Sequence, residues 1–191
     1  MKLICVAFLL GLIFISCGEE NTPDAQLQAS PDSTAFFSIG HFFKEQVSQV
    51  ILFRKKVLLF TTVNNSQDSM LIDSTQFMAL ADEFIKKDIS NPVDKKHYRE
   101  TVFQDAGTKS YTLNYTAVDR TVPVQGIDVL LDEQTNQVKR IFIRSFSQHG
   151  DTSVQEQFNW HAFKGFQINR SFTTSNGYQK QELKQVKWDR E

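Results

Sequence analysis

The chain has 191 residues, with 21 Lys and Arg against 22 Asp and Glu, a formal net charge of −1, and 40% hydrophobic residues. That length holds one globular domain and an appendage. A pI near 6.4 and a mean hydropathy of −0.34 exclude a polytopic membrane protein and argue against the basic field that nucleic-acid binding needs.

The first segment is an address. Met1-Lys2 is a positive start, Leu3 to Ile15 an unbroken apolar run, and Ser16 a small residue before Cys17, which is the plan of a secretory signal over residues 1–16. As a helix the apolar run would reach roughly 20 Å, short of a hydrocarbon core of about 30 Å, so cleavage is expected. Phe14-Ile15-Ser16-Cys17 resembles the lipobox of bacterial lipoproteins, and the whole start resembles those of the Bacteroidetes group. The resemblance implies acylation of Cys17 on sulfur, with palmitate-type chains, and on its new amino group. Cys5 leaves with the signal, so the mature chain has no second cysteine for a disulfide or a zinc-thiolate site. Two or three acyl chains, at about 0.8 kcal/mol per buried methylene, hold a soluble domain durably on a bilayer. Asp is absent at position 18, which resembles an outer-membrane sorting signal, while Gly18-Glu19-Glu20 weakly resembles a surface-export signal. Residues 17–31, small and polar with Pro23 and Pro31, read as the lipidated cysteine and a flexible tether.

A single domain is expected over 32–191. Asp32 or Ser33 is placed to cap a helix in which Phe36, Ile39, Phe43, Val47 and Val50 recur at three- and four-residue steps. Gly40 weakens that helix by about 1 kcal/mol relative to alanine. Val57–Val63 and Ser69–Ile72 flank Asn64-Asn65-Ser66 as a hairpin. Asp73 with Gln76 starts a second helix bearing Phe77, Leu80, Ala81 and Phe84 on one face, and Asn91-Pro92 is expected to stop it. Beyond Lys96 the period becomes two, giving strands at Tyr98–Gln104, Ser110–Val118, Val124–Leu131, Val138–Phe146, Ser153–Trp160, Gly165–Thr173 and Tyr178–Trp188, joined by short turns rich in Gly, Pro, Asn and Asp. The predicted class is α+β, a curved antiparallel meander of about seven to nine strands with two N-terminal helices packed on one face.

In Ser153–Trp160, Val154, Phe158 and Trp160 point one way and Ser153, Gln155, Gln157 and Asn159 the other, so one face is wet. Val138, Arg140, Phe142, Arg144 and Phe146 form one column. Functionally, Arg140, Phe142, Arg144 and Phe146 are a candidate binding face, an anion-and-ring platform for glycan or lipid head groups. The simpler reading is arginine stems packed over exposed rings.

Local catalytic and cofactor motifs are absent: no glycine-rich dinucleotide or phosphate loop, no Gly-x-Ser-x-Gly, no His-Glu-x-x-His. His41, His97, His149 and His161 have no metal-ligand spacing, and Asp119, Asp128 and Asp132 read as solvated carboxylates. No enzyme activity, metal or cofactor is therefore expected. Asp32-Ser33-Thr34, Asp68-Ser69-Met70 and Asp73-Ser74-Thr75 resemble Bacteroidetes O-glycosylation sites. Phe42-Phe43-Lys44-Glu45-Gln46 and Phe84 to Pro92, in a helix, hairpin, helix, meander order, resemble uncharacterised lipoproteins of the same group. The expected role is a structural or interaction module anchored at the outer membrane, meeting an envelope protein, glycan or lipid and no nucleic acid. The alternative is a carrier or sensor of acyl chains in a cavity between sheet and helices, by distant analogy with periplasmic lipoprotein carriers.

Overall fold

The computed structural model describes residues 35–188. The signal over 1–16, Cys17, the tether to residue 31, and the caps at Asp32 or Ser33 lie outside the described residues. The described elements are α1 (Ile39–Leu52), β1 (Val57–Val63), β2 (Ser66–Ile72), α2 (Ser74–Ile85), α3 (Pro92–Lys95), β3 (Tyr98–Asp105), β4 (Ser110–Ala117), β5 (Val124–Asp132), β6 (Val138–His149), β7 (Thr152–His161), β8 (Gly165–Thr174) and β9 (Gln179–Trp188). The class is α+β. The strands form one open antiparallel sheet in the order β2-β1-β9-β8-β7-β6-β5-β4-β3. Strands β3 to β9 are a meander of sequential neighbours, as their short turns require. The first hairpin extends it by pairing with the last strand, Val57 opposite Trp188.

The first helix starts later than the apolar stripe predicts. Ser38 is its N-cap, accepting from the His41 amide, and Phe36 lies before the helix, its ring 4.6 Å from that of Tyr115. The stripe holds inside the helix, where Ile39, Phe43, Val47 and Val50 are buried. Gly40 serves a close approach: a Cβ there would come within 2.6 Å of Asp88 Oδ2. That carboxylate accepts from Ser38 Oγ (2.9 Å) and Gly40 N (3.1 Å), and through Oδ1 from Ser90 N (3.0 Å). The glycine's cost to the helix thus permits a charge-assisted cap from fifty residues away.

Asp73 and Gln76 make the predicted capping box. The second helix, however, ends at Ile85 with Lys86 as C-cap. Asn91-Pro92 starts rather than stops a helix: Asn91 Oδ1 accepts from Val93 N and Asp94 N, both at 3.0 Å. Proline at the first helical position has its φ set for the helix and lacks only an amide that would be unpaired anyway.

Rings fill the space between α1, α2 and the sheet face they touch. Phe84 of α2 lies 5.3 Å from Phe43 of α1, 5.1 Å from Phe158 and Trp160, and 4.9 Å from Phe166. Phe77 adds contacts to Phe166 and Trp188 at 6.1 and 5.7 Å. Trp160 is fully buried, and its indole Nε1 has no hydrogen-bond acceptor among the described residues, so packing rather than a polar bond places it.

Candidate functional site

Antiparallel register builds the opposite face from residues far apart in sequence. Phe60, Gln185, Gln167, Asn159, Phe142 and Asp128 stand side by side across β1, β9, β8, β7, β6 and β5. All are partly exposed among the described residues. Arg140, Phe142, Arg144 and Phe146 fall on this face, on β6, with the buried Ile141 and Ile143 between them pointing to the helices. Val138 does not belong to their column. An irregularity between Leu130 and Leu131 leaves Lys139 without a partner on β5, and Val138 turns to pack against the core. A bulge reverses side-chain alternation beyond it, and a period-two reading cannot register one.

The two arginines are held differently. Gly126 lies opposite Arg144, and a Cβ there would come within 2.6 Å of its Nη2, so the glycine lets the guanidinium lie over β5. Arg144 then comes within 3.8 Å of Asp128 Oδ2, while Asp128 Oδ1 accepts from Asn114 Nδ2. Arg140 Nε donates to Asn159 Oδ1 at 2.5 Å, and its guanidinium lies 5.9 Å from the Phe142 ring. With its oxygen engaged, Asn159 presents Nδ2 to His161 Nε2 at 3.3 Å. A neutral imidazole accepting at Nε2 carries its proton on Nδ1. Burial, then Arg140 and Lys164, hold the His161 pKa below its ordinary value. In contrast, the amide side chains of Gln155, Gln157, Gln167, Asn169 and Gln185 bond to no protein group among the described residues.

A second polar assembly lies on the helix side, and sequence reading missed it. Ser145, Glu156, Arg170 and Glu182 are successive partners across β6, β7, β8 and β9, all pointing inward. Arg170 spends each guanidinium nitrogen on a different carboxylate: Nε on Glu156 (2.8 Å), Nη1 on Glu182 (3.5 Å) and Nη2 on Glu83 of α2. The other Glu156 oxygen accepts from Lys87 Nζ and Ser145 Oγ, both at 2.8 Å. Burial alone would raise the Glu156 pKa, but bonds from Lys87, Arg170 and Ser145 hold it at about 2. A cleft of about 370 Å³ opens beside it, floored by Glu156 and Phe158 and walled by Glu83, Lys87, Tyr98 and Pro123. Every charge facing that cleft from the sheet is already neutralised by a partner, which makes the network a clamp between α2 and the sheet.

The remaining titratable groups serve locally. Asp132 accepts from the amides of Gln134 and Thr135 in its own turn and pairs with Lys139 at 2.9 Å. The Lys139 bond and the Thr135 amide hold its pKa at about 2. His41 pairs with Glu45 and His97 with Asp119, each at 3.5 Å, and His149 ends β6 exposed. Among the described residues no three His, Cys, Asp or Glu converge on a metal position, and no helix is long and apolar enough to cross a membrane. No family model, curated protein or solved structure matches the chain, so function has to be read from the site itself.

Proposed function

We propose that the protein is a lipid-anchored interaction module of the cell envelope, tethered to the outer membrane through Cys17, which binds an envelope glycan on the sheet face opposite its helices. The observation that carries this reading is the strip of amides Asn159, Gln167 and Gln185 on β7, β8 and β9, flanked by the Phe60 and Phe142 rings, with Gln167 and Gln185 unbonded among the described residues and Asn159 held by Arg140 and His161. Sugars are recognised by amide and hydroxyl bonds to their hydroxyl groups together with contact between ring faces and C–H bonds, and this strip offers both. Phe60 carries Lys187 Nζ at 5.3 Å from its centroid, so one of the flanking rings is bordered by a cation. The ring-filled core supports a module over a carrier, since a carrier needs an apolar cavity where these side chains meet.

One preparation tests both halves. Mass spectrometry of the membrane-extracted protein should find an N-terminal peptide beginning at Cys17 and bearing acyl chains, and Cys17→Ser should release the protein to the soluble fraction. Titration with polysaccharide extracted from the producer's envelope should give saturable binding that Asn159→Ala/Gln167→Ala weakens at least about tenfold, the equivalent of about 1.4 kcal/mol. An unmodified Cys17 overturns the anchor. Absence of saturable binding, or binding the double variant leaves unchanged, overturns the glycan face.

A further inference from the structure

Beside the amide strip, and sharing Gln167 and Gln185 with it, the face carries a notch. Gly165 stands between Lys187 on β9 and His161 on β7 in register. Its φ is 152°, and a Cβ there would fall 2.3 Å from the Val186 carbonyl oxygen, so no side chain can occupy the position. In a row where every neighbour has a side chain, the omission leaves a cavity of about 220 Å³, walled by His161, Lys164, Gln167, Gln185 and Lys187. Arg140 is the next residue in the row, opposite His161.

Among the described residues the charge around this cavity is of one sign. Arg140, Lys164 and Lys187 form no ion pair with a carboxylate among the described residues. The positions of β1, β6, β7, β8 and β9 that share this face include no Asp or Glu. Asp128 on β5 is committed to Arg144 and Asn114. On the helix side of the same strands the opposite holds, since every buried cation meets a glutamate. Cations gathered without a counterion repel one another, and a bound anion relieves that repulsion. The fixed donors fit one: the Arg140–Asn159–His161 chain leaves His161 Nδ1–H free to donate. Gln167 and Gln185 add two amide groups with no protein partner.

We infer that the notch is an anion subsite, which receives one carboxylate, sulfate or phosphate group of a ligand lying on the sheet face. Its affinity for a free anion stands on the notch alone, and the link to a larger ligand rests on the glycan reading above. An acidic sugar would place its ring over the amide strip and its charged group beside Gly165.

The test is NMR titration of the full chain with inorganic phosphate and, separately, sulfate. Saturable shifts are expected at Gly165, Gln167, Gln185 and His161, with the His161 pKa rising by roughly half a unit or more, because a nearby anion favours the imidazolium. Lys164→Ala/Lys187→Ala should weaken binding at least about tenfold, whereas Lys86→Ala, at the exposed C-cap of α2 and paired with Asp82, should not change it. Gly165→Ala is unsuitable, since it strains the backbone before it fills the cavity. Shifts that never saturate, or a double variant that binds as the parent does, overturn the subsite and leave only a diffuse ion atmosphere. A glucuronate oligomer and its neutral glucose counterpart separate the two claims. Phosphate saturation without binding of either oligomer sinks the glycan face and keeps the notch. Binding of both with equal affinity, untouched by the double variant, sinks the notch and keeps the face.

Discussion

Arg170→Met is expected to destabilise the domain by about 3–5 kcal/mol, read as a lowered urea midpoint at unchanged slope. One guanidinium joins three glutamates from α2, β7 and β9, and its side chain is only 13% exposed. Removing it leaves three carboxylates repelling one another in a half-dry site, with Lys87 facing Glu156, Lys180 and Lys184 facing Glu182, and no cation among the described residues joining the three. The cost is that of stranding charges, not the net worth of the network, so the triple change Glu83→Gln/Glu156→Gln/Glu182→Gln on the Arg170→Met background should recover part of the loss. A loss below about 1 kcal/mol would show the network to be solvated and contradict its role as a clamp.

The same network sets the response to acid. Glu156 is held at about 2 in the folded protein against an ordinary value of 4.5. The unfolded chain therefore takes up this proton first, and the stabilisation, complete above about 4.5, is lost as pH falls from there toward about 2. Glu156→Gln should flatten the stability profile across that window while lowering it at neutral pH. An unchanged profile would place the acid sensitivity elsewhere.

The sequence displays the parts of this network but not their meeting. Glu156 interrupts the apolar alternation between Val154 and Phe158, Arg170 follows Ile168 by two residues, and Glu182 precedes Val186 by four. Each is a charge at an inward position of a period-two strand. Glu83 in the last turn of α2 and Lys87 just past its C-cap are four apart. Those irregularities mark inward charges, yet only register shows that they fall in one row and neutralise one another. The strands themselves were legible because turn residues bracket each of them, and the inner face because β-branched and aromatic residues alternate with polar ones. The late start of α1 was not, because Phe36 keeps helical spacing while packing on Tyr115 from ahead of the helix. For the binding face, composition pointed to Arg140, Phe142, Arg144 and Phe146 on a single strand. The amides of Asn159, Gln167 and Gln185 join them only through hydrogen-bonded neighbours, and the notch at Gly165 is a missing side chain, which no pattern of present side chains reveals.

Phe84→Ala should cost about 3–5 kcal/mol, the range for truncating a buried aromatic side chain. Its ring touches four others drawn from α1, β7 and β8, and α2 has twelve residues, too few to persist as a helix without that contact. Phe84→Leu, which keeps most of the volume, should lose less, and Met78→Ala on the exposed side of the same helix should stay within about 0.5 kcal/mol. The series also separates a filled core from a carrier's cavity. A fluorescent fatty acid should not bind stoichiometrically to the parent protein, because the rings between α2 and the sheet leave it no room. Truncating Phe84 opens a dry apolar space of the kind that small hydrocarbons enter, so benzene should raise the urea midpoint of Phe84→Ala and leave that of the parent unmoved. One equivalent of acyl probe taken up by the parent, and expelled by filling the same site, would restore the carrier reading at the expense of the module.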